Sequence, residues 1–484
     1  MSCVKCGADS VLATRGSNFC GPCLSADLFS RFTRTFAVKN SELPRGEAAC
    51  VAWSGGESSS LLLHYMNTFL NKTLKNNTAA RFSSVVVCVV DYSCLLSKSR
   101  ESIESEMKEM QTVVESFGFT FKRVPLESVF ANENGDLGLH LVADGADEQI
   151  RLLQHRGKAP QGATPLSHTL SLFESLRTTP ASNATTAVSL LSTLVNRLLI
   201  RTALANNCTS LIMGPNASTI AGSIVTATAL GGGFNLPNDI SLEYKVPGAN
   251  LVIFRPIRDL LWIEVEKIVQ VDSVQIFHAV ARMADGLFGS LVAAPGADHN
   301  NMNVSKMTIQ ELAKSFVSGL QRDFPQSVST VTRTAFKIET GSSVAGLQTC
   351  LLCASPIQPN SQKWRKSHTV SALSEVVLPE DPVKPVTQLG TTSCETPNAH
   401  IADDLLCYSC QHVSRDVSNR KAFVVPGEPW FLGGKASLFS ECVDANSAKC
   451  CGNESACASG RNHPGRVENL REQIQDFLLE DDDE

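Results

Sequence analysis

The sequence predicts an α/β protein in which a parallel sheet carries helices on both faces and is flanked by two metal-binding modules. Three observations support this prediction. Short apolar segments alternate with segments of helical periodicity, a glycine-rich loop follows the first strong strand, and cysteines occur in close pairs near both ends of the chain. Strands that alternate with helices are typical of a parallel sheet, because each crossover between parallel strands needs a long connection.

In the first half of the predicted core, strands and helices alternate clearly. Residues 48–53 are apolar and predict a buried strand, and residues 58–70 predict the helix that follows it. The clearest strand is the valine-rich stretch 83–90. A long helix is expected over 98–117, where apolar residues recur every three or four positions, and residues 119–124 predict a further strand.

The alternation breaks at residues 152–186, where Pro, Gly, Ser and Thr accumulate, and we expect an exposed insertion there. It then resumes with a helix over 188–205, a strand over 210–213 and a helix over 217–230. Residues 251–254 predict another strand.

These observations divide the 484 residues into five parts. The predicted parts are a cysteine module at 1–45, the α/β domain at 46–275 with its exposed insertion at about 152–186, a helical extension at 276–345, a second cysteine module at 346–425 and a polar tail at 426–484. Within the last two parts, residues 354–400 and 440–465 are polar and lack periodicity, which indicates loops or disorder.

Composition narrows the class of protein. Hydrophobic residues make up 43% and charged residues 19% of the chain, which excludes pervasive disorder. The longest apolar runs fall far short of the roughly 20 residues that span a bilayer, and the N-terminus lacks the apolar segment of a secretory signal. We therefore expect a soluble cytoplasmic protein that has no membrane partner.

The acidic tail carries the net charge of the chain. The formal charge is −6, and residues 466–484 contain eight acidic and two basic residues, so the rest of the chain is close to neutral. Apolar residues in the tail recur at helical spacing, and they are Val467, Leu470, Ile474, Phe477 and Leu478. The acids at 480–484 oppose the macrodipole of such a helix. Either its apolar face docks on a protein surface, or the tail is a solvated end.

Eight of the 17 cysteines form four C-x2-C pairs. They are Cys3/Cys6, Cys20/Cys23, Cys350/Cys353 and Cys407/Cys410. Thirteen residues separate the first two pairs, which suits one tetrahedral structural zinc site. Free surface thiols are the alternative. Fifty-three residues separate the last two pairs, but a longer loop costs little additional entropy, so we expect a second shared zinc. Cys394 could replace one of its ligands.

The loop Ser54-Gly55-Gly56-Glu57-Ser58-Ser59 has the features of a phosphate cradle. Glycines let the backbone approach an anion closely, and the helix that follows directs its positive end toward the loop. The candidate ligand-binding residues are Ser54, Gly55, Gly56, Ser58 and Ser59. The spacing fits neither a Walker A loop nor a dinucleotide fingerprint. A plain strand-to-helix turn capped by serine is the alternative.

This loop resembles the PP-loop, SGGxDS, of the N-type ATP pyrophosphatases. Together with the N-terminal cysteine pairs, it resembles the cytoplasmic tRNA 2-thiolation protein 2 family. Further agreement with that family lies at Arg255-Pro-Ile-Arg-Asp259, at 324–333, at Cys350-Leu-Leu-Cys353, at Leu406-Cys-Tyr-Ser-Cys410 and in the acidic C-terminus. The resemblance covers nearly the whole chain apart from the insertion and the two polar stretches.

The resemblance implies an adenine nucleotide α-hydrolase-like domain. It also implies a role in the complex that installs 2-thiouridine, within 5-methoxycarbonylmethyl-2-thiouridine, at the wobble position of cytosolic tRNAs. In that chemistry ATP adenylates the uracil C2 oxygen, and sulfur from a thiocarboxylated ubiquitin-related modifier displaces AMP. The implied partners are tRNA, a catalytic sister subunit that forms a heterodimer with this chain and, indirectly, the modifier.

The chain departs from the active PP-loop enzymes at two points. Ser58 stands where they carry an aspartate, and a serine supplies neither a charge nor a strong ligand for magnesium. The core holds no C-x-x-C pair that could carry sulfur. We therefore assign no catalytic residue and expect a non-catalytic subunit that holds tRNA and its partner. An ATP-using enzyme and a zinc-ribbon adaptor without nucleotide binding stay open as alternatives.

Overall fold

The computed structural model describes residues 2–38, 41–75, 80–96, 100–131, 141–144, 151–154, 164–177, 182–281, 307–338, 349–359 and 406–418. All of them fall in one structural unit, Met1–Pro359 with His400–Ala436. The second unit, Asn360–Ala399 with Ser437–Glu484, lies outside the described residues, and so do the predicted tail helix and Cys394.

Six strands form the central sheet, and two hairpins lie apart from it. The strands are β1 Leu12–Thr14, β2 Ser17–Phe19, β3 Glu47–Ala52, β4 Phe82–Asp91, β5 Thr120–Pro125, β6 Leu141–Asp144, β7 Arg151–Gln154, β8 Ser210–Ile212, β9 Glu243–Lys245 and β10 Val252–Phe254. The sheet has the order β5-β4-β3-β8-β10-β9, whereas β1 pairs with β2 and β6 pairs with β7. Five strands of the sheet are parallel, and only β9 is antiparallel, at the edge.

The first strand of the sheet, β3, lies in its middle, where Val51 is in register with Val87 on one side and Ile212 on the other. From β3 the chain builds the sheet outward to β5 and then returns to place β8 on the opposite side of β3. The loop after β3 therefore lies at the point where the strand order reverses. Ligands of open parallel sheets bind at this point, outside the carboxyl ends of the strands.

Eleven described helices surround the sheet. They are α1 Gly21–Thr35, α2 Glu57–Lys75, α3 Arg100–Ser116, α4 Pro165–Arg177, α5 Ser182–Ala205, α6 Ala217–Ala229, α7 Leu236–Ile240, α8 Trp262–Val271, α9 Ile309–Asp323, α10 Pro325–Ala335 and α11 Tyr408–Ser418. Short 3-10 helices occupy Ser93–Leu95 and Leu126–Phe130.

The core lies between the sheet and these helices. Every residue from Val85 to Val90 in β4 is buried, as expected for a parallel strand that is covered on both faces. The helix α5 packs against β3, β4 and β8. Among the described helices, only its stretch Ala184–Ala205 is long and apolar enough to cross a membrane, with a mean hydropathy of 1.3. Since 61% of that stretch is buried inside the protein, it has the burial of a core helix.

The α/β class and the parallel sheet predicted from the sequence are confirmed, and the predicted core elements differ from the observed ones mostly at their ends. The prediction of an exposed insertion is wrong for residues 165–177, which form α4 and bury Leu172, Phe173 and Leu176. Thr164 and Ser167 exchange hydrogen bonds at the start of this helix. The Ser and Thr content that indicated a loop therefore includes the residues that begin a helix. Residues 155–163 and 178–181 lie outside the described residues.

Candidate functional site

The first cysteine cluster joins a turn at the N-terminus to the beginning of α1. Cys3 and Cys6 lie in a turn in which the Gly7 N–H donates to the Cys3 carbonyl at 2.9 Å. Gly7 has a φ of +76°, a conformation that glycine adopts without steric cost. Cys20 directly precedes α1 and Cys23 lies in its first turn, so both thiols face the same side of the helix start.

The second cysteine cluster repeats this plan with a different helix. Cys350 and Cys353 lie in a turn in which the Ala354 N–H donates to the Cys350 carbonyl at 3.0 Å, and Ala354 has a φ of +64°. Cys407 directly precedes α11, and Cys410 lies in its first turn. Both clusters therefore combine one turn with one helix start.

The sulfur atoms of each cluster are spaced for a shared metal ion. The Cys6 and Cys20 Sγ atoms are 3.4 Å apart, and the Cys353 and Cys407 Sγ atoms are 3.6 Å apart. Within each cluster all four sulfur atoms lie within 4.8 Å of one another. Tetrahedral zinc with ordinary Zn–S bonds places its ligand sulfurs about 3.8 Å apart. The structure brings the eight cysteines into the two groups of four that the sequence predicts, and each group could hold a metal ion.

Hydrogen bonds among the thiols alter their acidity. A backbone N–H of Cys20 lowers the pKa of the Cys3 thiol to about 6, and a hydrogen bond with the Cys20 side chain raises the pKa of the Cys23 thiol to about 12. In the second cluster burial opposes ionisation of Cys350, but hydrogen bonds from the other three cysteines lower its pKa well below the usual value. Each cluster thus contains a thiol that ionises readily, and thiolates are the form that binds a metal.

A buried carboxylate attaches the first cluster to the α/β domain. Glu264, at the beginning of α8, accepts hydrogen bonds from the Thr14 hydroxyl at 3.0 Å, from Arg15 Nε at 2.8 Å and from the Leu261 N–H at 2.8 Å. Arg31 Nη1 lies 3.3 Å from both carboxylate oxygens. Burial opposes the charge of Glu264, but the two guanidinium groups hold its pKa below the usual value.

The second cluster is attached to the core from α5. Arg197 is almost completely buried, and its guanidinium donates to the Leu351 carbonyl, between the two cysteines of the turn. On the other side, the ring of Tyr408 packs so closely on Gly231 that a Cβ at this position would lie 2.6 Å from it. Gly231 has a φ of +73°, so both its conformation and this contact require glycine.

The glycine loop satisfies many of its own polar groups. The Ser54 N–H donates to Ser59 Oγ at 3.3 Å, and Ser59 Oγ donates to the Gly56 carbonyl at 3.1 Å. The hydroxyls of Ser54 and Ser59 are also 3.0 Å apart. Trp53 Nε1 donates to Ser60 Oγ at 3.0 Å. Several of the hydroxyls that the sequence offers to an anion are therefore already engaged within the loop.

Two residues outside the loop donate hydrogen bonds to Ser58 and Gly55, which are also candidate ligand-binding residues. Asn216, fully buried at the N-cap of α6, donates from Nδ2 to Ser58 Oγ at 2.8 Å. The Phe277 N–H donates to the Gly55 carbonyl at 2.9 Å. Gly55 has a φ of +75°, and a Cβ on it would lie 3.1 Å from the Phe277 Cβ. Gly55 is thus required by the local backbone and by Phe277, whether or not an anion binds.

The acid in the loop has its own environment. Glu57 opens α2, and burial together with the charge of Glu266 raises the pKa of its carboxyl group, which His278 partly offsets. Its Oε2 is buried without a hydrogen-bond partner. A negative charge at this helix start is favourable to the helix but repels a phosphate that approaches the same amides.

The core cysteines are poor nucleophiles. Cys50 and Cys88 lie buried in neighbouring strands, and a hydrogen bond between their side chains together with burial raises the pKa of Cys50 well above the usual value. Burial raises the pKa of Cys208 to about 11 and that of Cys94 to about 12. A thiol must ionise to attack or to carry sulfur, and the raised pKa values keep Cys50, Cys94 and Cys208 protonated at neutral pH.

Sequence reasoning missed three residues that organise these sites, namely Asn216, Phe277 and Glu264. Asn216 had a local signal, because an asparagine directly before a helical segment is a typical N-cap. Phe277 and Glu264 act on residues more than 200 positions away, and no spacing in the sequence indicates such contacts.

Comparisons with known proteins show which sequences this chain resembles. A family model described as cytoplasmic tRNA 2-thiolation protein 2 matches residues 308–412, a range that includes all four cysteines of the second cluster. The curated protein of that name from Danio rerio is 26% identical over 466 residues, covering 86% of this chain and 88% of its own. The one from Xenopus tropicalis is 24% identical and covers 100% and 95%.

Among solved structures, the U34-tRNA thiolase NcsA from Methanococcus maripaludis, with its 4Fe–4S cluster, is similar at 12% sequence identity. The similarity covers 72% of this chain and 92% of that one, with a TM-score of 0.43, which is too low to support an argument about this chain.

Proposed function

We propose that the chain is a member of the cytoplasmic tRNA 2-thiolation protein 2 family, to which it is similar over most of its length, and that it is a tRNA- and partner-binding subunit in the 2-thiolation of wobble uridine in cytosolic tRNAs. Its relatives are named as cytoplasmic proteins, which supports the same location for this chain. The proposed reaction joins sulfur to C2 of the uracil ring after ATP has activated the C2 oxygen.

The observation that supports a non-catalytic role is the chemistry of the core thiols. Sulfur transfer needs a thiolate that can reach the substrate. Within the described part of the α/β domain, Cys50, Cys88 and Cys208 are buried, and the thiols of Cys94 and Cys208 have raised pKa values. We therefore propose that a catalytic sister subunit performs the adenylation and the sulfur transfer, and that a thiocarboxylated ubiquitin-related modifier supplies the sulfur.

The glycine loop supports the same assignment. Ser58 offers no carboxylate for magnesium, and its hydroxyl accepts a hydrogen bond from Asn216. The residues Ser54, Gly55, Gly56, Ser58 and Ser59 stay our candidates for binding a phosphate. Their glycines would let the backbone approach an anion closely, but the chain lacks the acid that active enzymes place there.

We further propose that both cysteine clusters hold structural zinc. Four thiolates leave no open coordination position, which is the pattern of a structural zinc site. The bound metal would join the turn to the helix start in each cluster. Cys3, Cys6, Cys20 and Cys23 would hold one ion, and Cys350, Cys353, Cys407 and Cys410 the other.

Mass spectrometry of tRNA nucleosides tests the proposed function. We expect depletion of this protein to remove 2-thiouridine derivatives from the wobble position, and re-expression of the unaltered chain to restore them. The variant C94S is expected to restore them equally, because we assign no sulfur-carrying role to Cys94. Unchanged thiolation after depletion would refute the proposal.

The variant Ser58→Asp separates the proposed non-catalytic subunit from the alternative of an ATP-using enzyme. Purified chain carrying this change, mixed with ATP and tRNA, is expected to release no pyrophosphate, because the hydroxyls of Ser54 and Ser59 are already engaged within the loop. Release of pyrophosphate would instead favour an ATP-using enzyme that lacks only the carboxylate. Equilibrium binding of ATP and of tRNA to the unaltered chain, alone and with its partner, distinguishes both from a zinc-ribbon adaptor that does not bind the nucleotide.

A further inference from the structure

A positively charged groove lies between the first cysteine module and α10. Two cavities of about 280 and 460 Å³ lie side by side and share Arg15, Arg31 and Arg333 in their walls, and we treat them together as one groove. We call it the arginine groove. Six cationic side chains line it, namely Arg15, Arg31, Arg34, Arg258, Arg333 and Lys337. This concentration of positive charge occurs in a chain whose net charge is −6.

The acidic residues of the groove do not neutralise this charge. Three carboxylates line it, and Asp27 is paired with Lys5 at 2.8 Å. Glu264 is buried and shared between Arg15 and Arg31, so one carboxylate faces two guanidinium groups. Asp259 contributes the third carboxylate. The groove thus keeps an excess of positive charge at neutral pH.

Three of the cations are held in place before any ligand arrives. Arg15 and Arg31 bond to Glu264, and both also donate to the Asp259 carbonyl. The Arg258 guanidinium lies 3.9 Å from the centroid of the Phe336 ring and donates to a backbone carbonyl at 3.0 Å. Side chains fixed in this way lose little conformational entropy when an anion binds.

The other three cations are available to a ligand. Arg34, Arg333 and Lys337 are exposed, and none of them has an ion pair among the residues that the structure describes. Arg333 lies in the last turn of α10 and Lys337 lies just past the end of the helix, and both line the larger cavity.

The groove opens at the same edge of the sheet as the glycine loop. Arg258 follows β10, Ala217 in its wall follows β8, and the glycine loop follows β3. These three strands are parallel, so their carboxyl ends meet at one edge. Asn216, next to Ala217, bonds to Ser58 of the loop and joins the two regions directly.

We propose that the arginine groove binds the phosphodiester backbone of tRNA. The identity of the RNA rests on the proposed function above, whereas the chemistry rests on the groove. A guanidinium presents a planar fork of donors that matches a phosphate, and such contacts hold nucleic acid without reading its bases. Binding here places an RNA strand beside the edge of the sheet that carries the glycine loop.

Binding of a tRNA transcript to the purified full chain, measured at several salt concentrations, tests this proposal. The test variant is Arg333→Gln with Lys337→Gln, since both side chains are exposed and make no ion pair that the fold needs. We expect about tenfold weaker binding at low salt. The slope of log affinity against log salt is expected to fall by about 1 to 2, since each lost phosphate contact removes about one from it.

A matched control removes the same charge elsewhere. Lys108→Gln with Lys122→Gln changes two exposed lysines on α3 and β5, away from the groove, and is expected to bind like the unaltered chain. Equal binding by the two double variants would overturn the proposal, and so would a lack of binding by the unaltered chain at low salt. A groove variant that binds tRNA normally but loses its protein partner would assign the groove to that partner instead.

This result is independent of the test of the proposed function. If depletion abolishes wobble thiolation while the groove variant binds tRNA normally, only the groove assignment fails. If depletion leaves thiolation unchanged while the groove variant loses binding, the groove is an RNA site and the assigned pathway is wrong.

Discussion

The two cysteine clusters share a local plan but differ in how the rest of the protein surrounds them. Each joins a C-x2-C turn to a C-x2-C helix start. The first is assembled from residues 3–23, and its Cys6 is exposed. The second joins segments that are 53 residues apart, and three of its four cysteines are buried. The same type of site is therefore formed once by a short local segment and once by two segments that are distant in the sequence and largely buried.

The attachments of the two clusters differ in kind. The first is held to the α/β domain through the carboxylate of Glu264, which is shared with partly exposed arginines. The second is held by the buried Arg197 and by close packing of Tyr408 on Gly231. We infer that loss of the first cluster would loosen the N-terminal module, whereas loss of the second would open the core around α5.

The largest expected difference comes from removing one ligand of each cluster. Both Cys350→Ser and Cys3→Ser are expected to lose one bound metal ion per chain. Because metal binding stabilises the folded state directly, and Cys350 is fully buried, Cys350→Ser should lower the free energy of unfolding by several kcal/mol. Cys3→Ser should lower the melting temperature less. Metal analysis with thermal unfolding measures both quantities.

The variant Cys94→Ser is the control for these two substitutions, since it removes a thiol outside both clusters and should keep all bound metal. Equal melting temperatures for Cys3→Ser and Cys350→Ser would contradict the inferred difference between a local and a core-embedded cluster. Iron in place of zinc would leave the two groups intact but would change the assigned metal.

The attachment of the first cluster should depend on acid. The folded-state pKa of Glu264 is lowered, so its contribution to stability is present above its unfolded-state pKa and is lost as the pH falls through the folded-state value, below about pH 4.5. Glu264→Gln should cost about 3 kcal/mol at pH 7, because it leaves two arginines without their carboxylate. Thermal unfolding between pH 3 and 7 should then show a weaker loss of stability in acid than the unaltered chain does.

Glu109→Gln provides the matched control, since this exposed acid on α3 makes no ion pair with any residue that the structure describes. It should unfold like the unaltered chain at every pH. If Glu264→Gln keeps the same acid sensitivity as the unaltered chain, another carboxylate governs it.

The local features of the fold and of the two clusters could be predicted from the sequence. The C-x2-C spacing indicated all four cysteine pairs, and the run of valines indicated β4, because each signal lies within a short stretch of chain. Helix α4 was missed because composition was weighed above the spacing of Leu172, Phe173 and Leu176.

The contacts that attach the clusters to distant parts of the chain could not be predicted from one sequence. Arg197 lies in a helix whose apolar spacing gives no sign that a guanidinium would be buried on the carbonyl of Leu351, 154 residues away. The arginine groove likewise draws on α1, the segment after β10 and α10, which only the folded chain brings together. The spacing of residues in the sequence predicts local sites, whereas contacts between residues that are distant in the sequence depend on the topology of the fold.

The attachment of the second cluster should respond to a substitution of Arg197. Arg197→Met keeps most of the side-chain length but removes the donor to the Leu351 carbonyl, which should cost about 2 kcal/mol. We expect faster release of metal to a chelator from the second cluster and unchanged release from the first. Loss of metal at equal rates from both clusters would indicate a general destabilisation instead.

The smallest expected effects come from a pair of glycines, one beside each cluster. Gly7 and Gly231 both have a positive φ, of +76° and +73°, so alanine should cost about 1 kcal/mol at either position through the backbone alone. At Gly7 a Cβ would meet no atom within 4 Å, whereas at Gly231 it would lie 2.6 Å from the Tyr408 ring.

Gly231→Ala must therefore also displace Tyr408, which lies between Cys407 and Cys410 in the sequence, and should lower the free energy of unfolding by about 2 kcal/mol. We expect Gly231→Ala to release metal from the second cluster faster and Gly7→Ala to change the melting temperature only slightly. Equal effects of the two substitutions would mean that the Tyr408 ring yields freely, and that the second cluster depends less on close packing than its burial suggests.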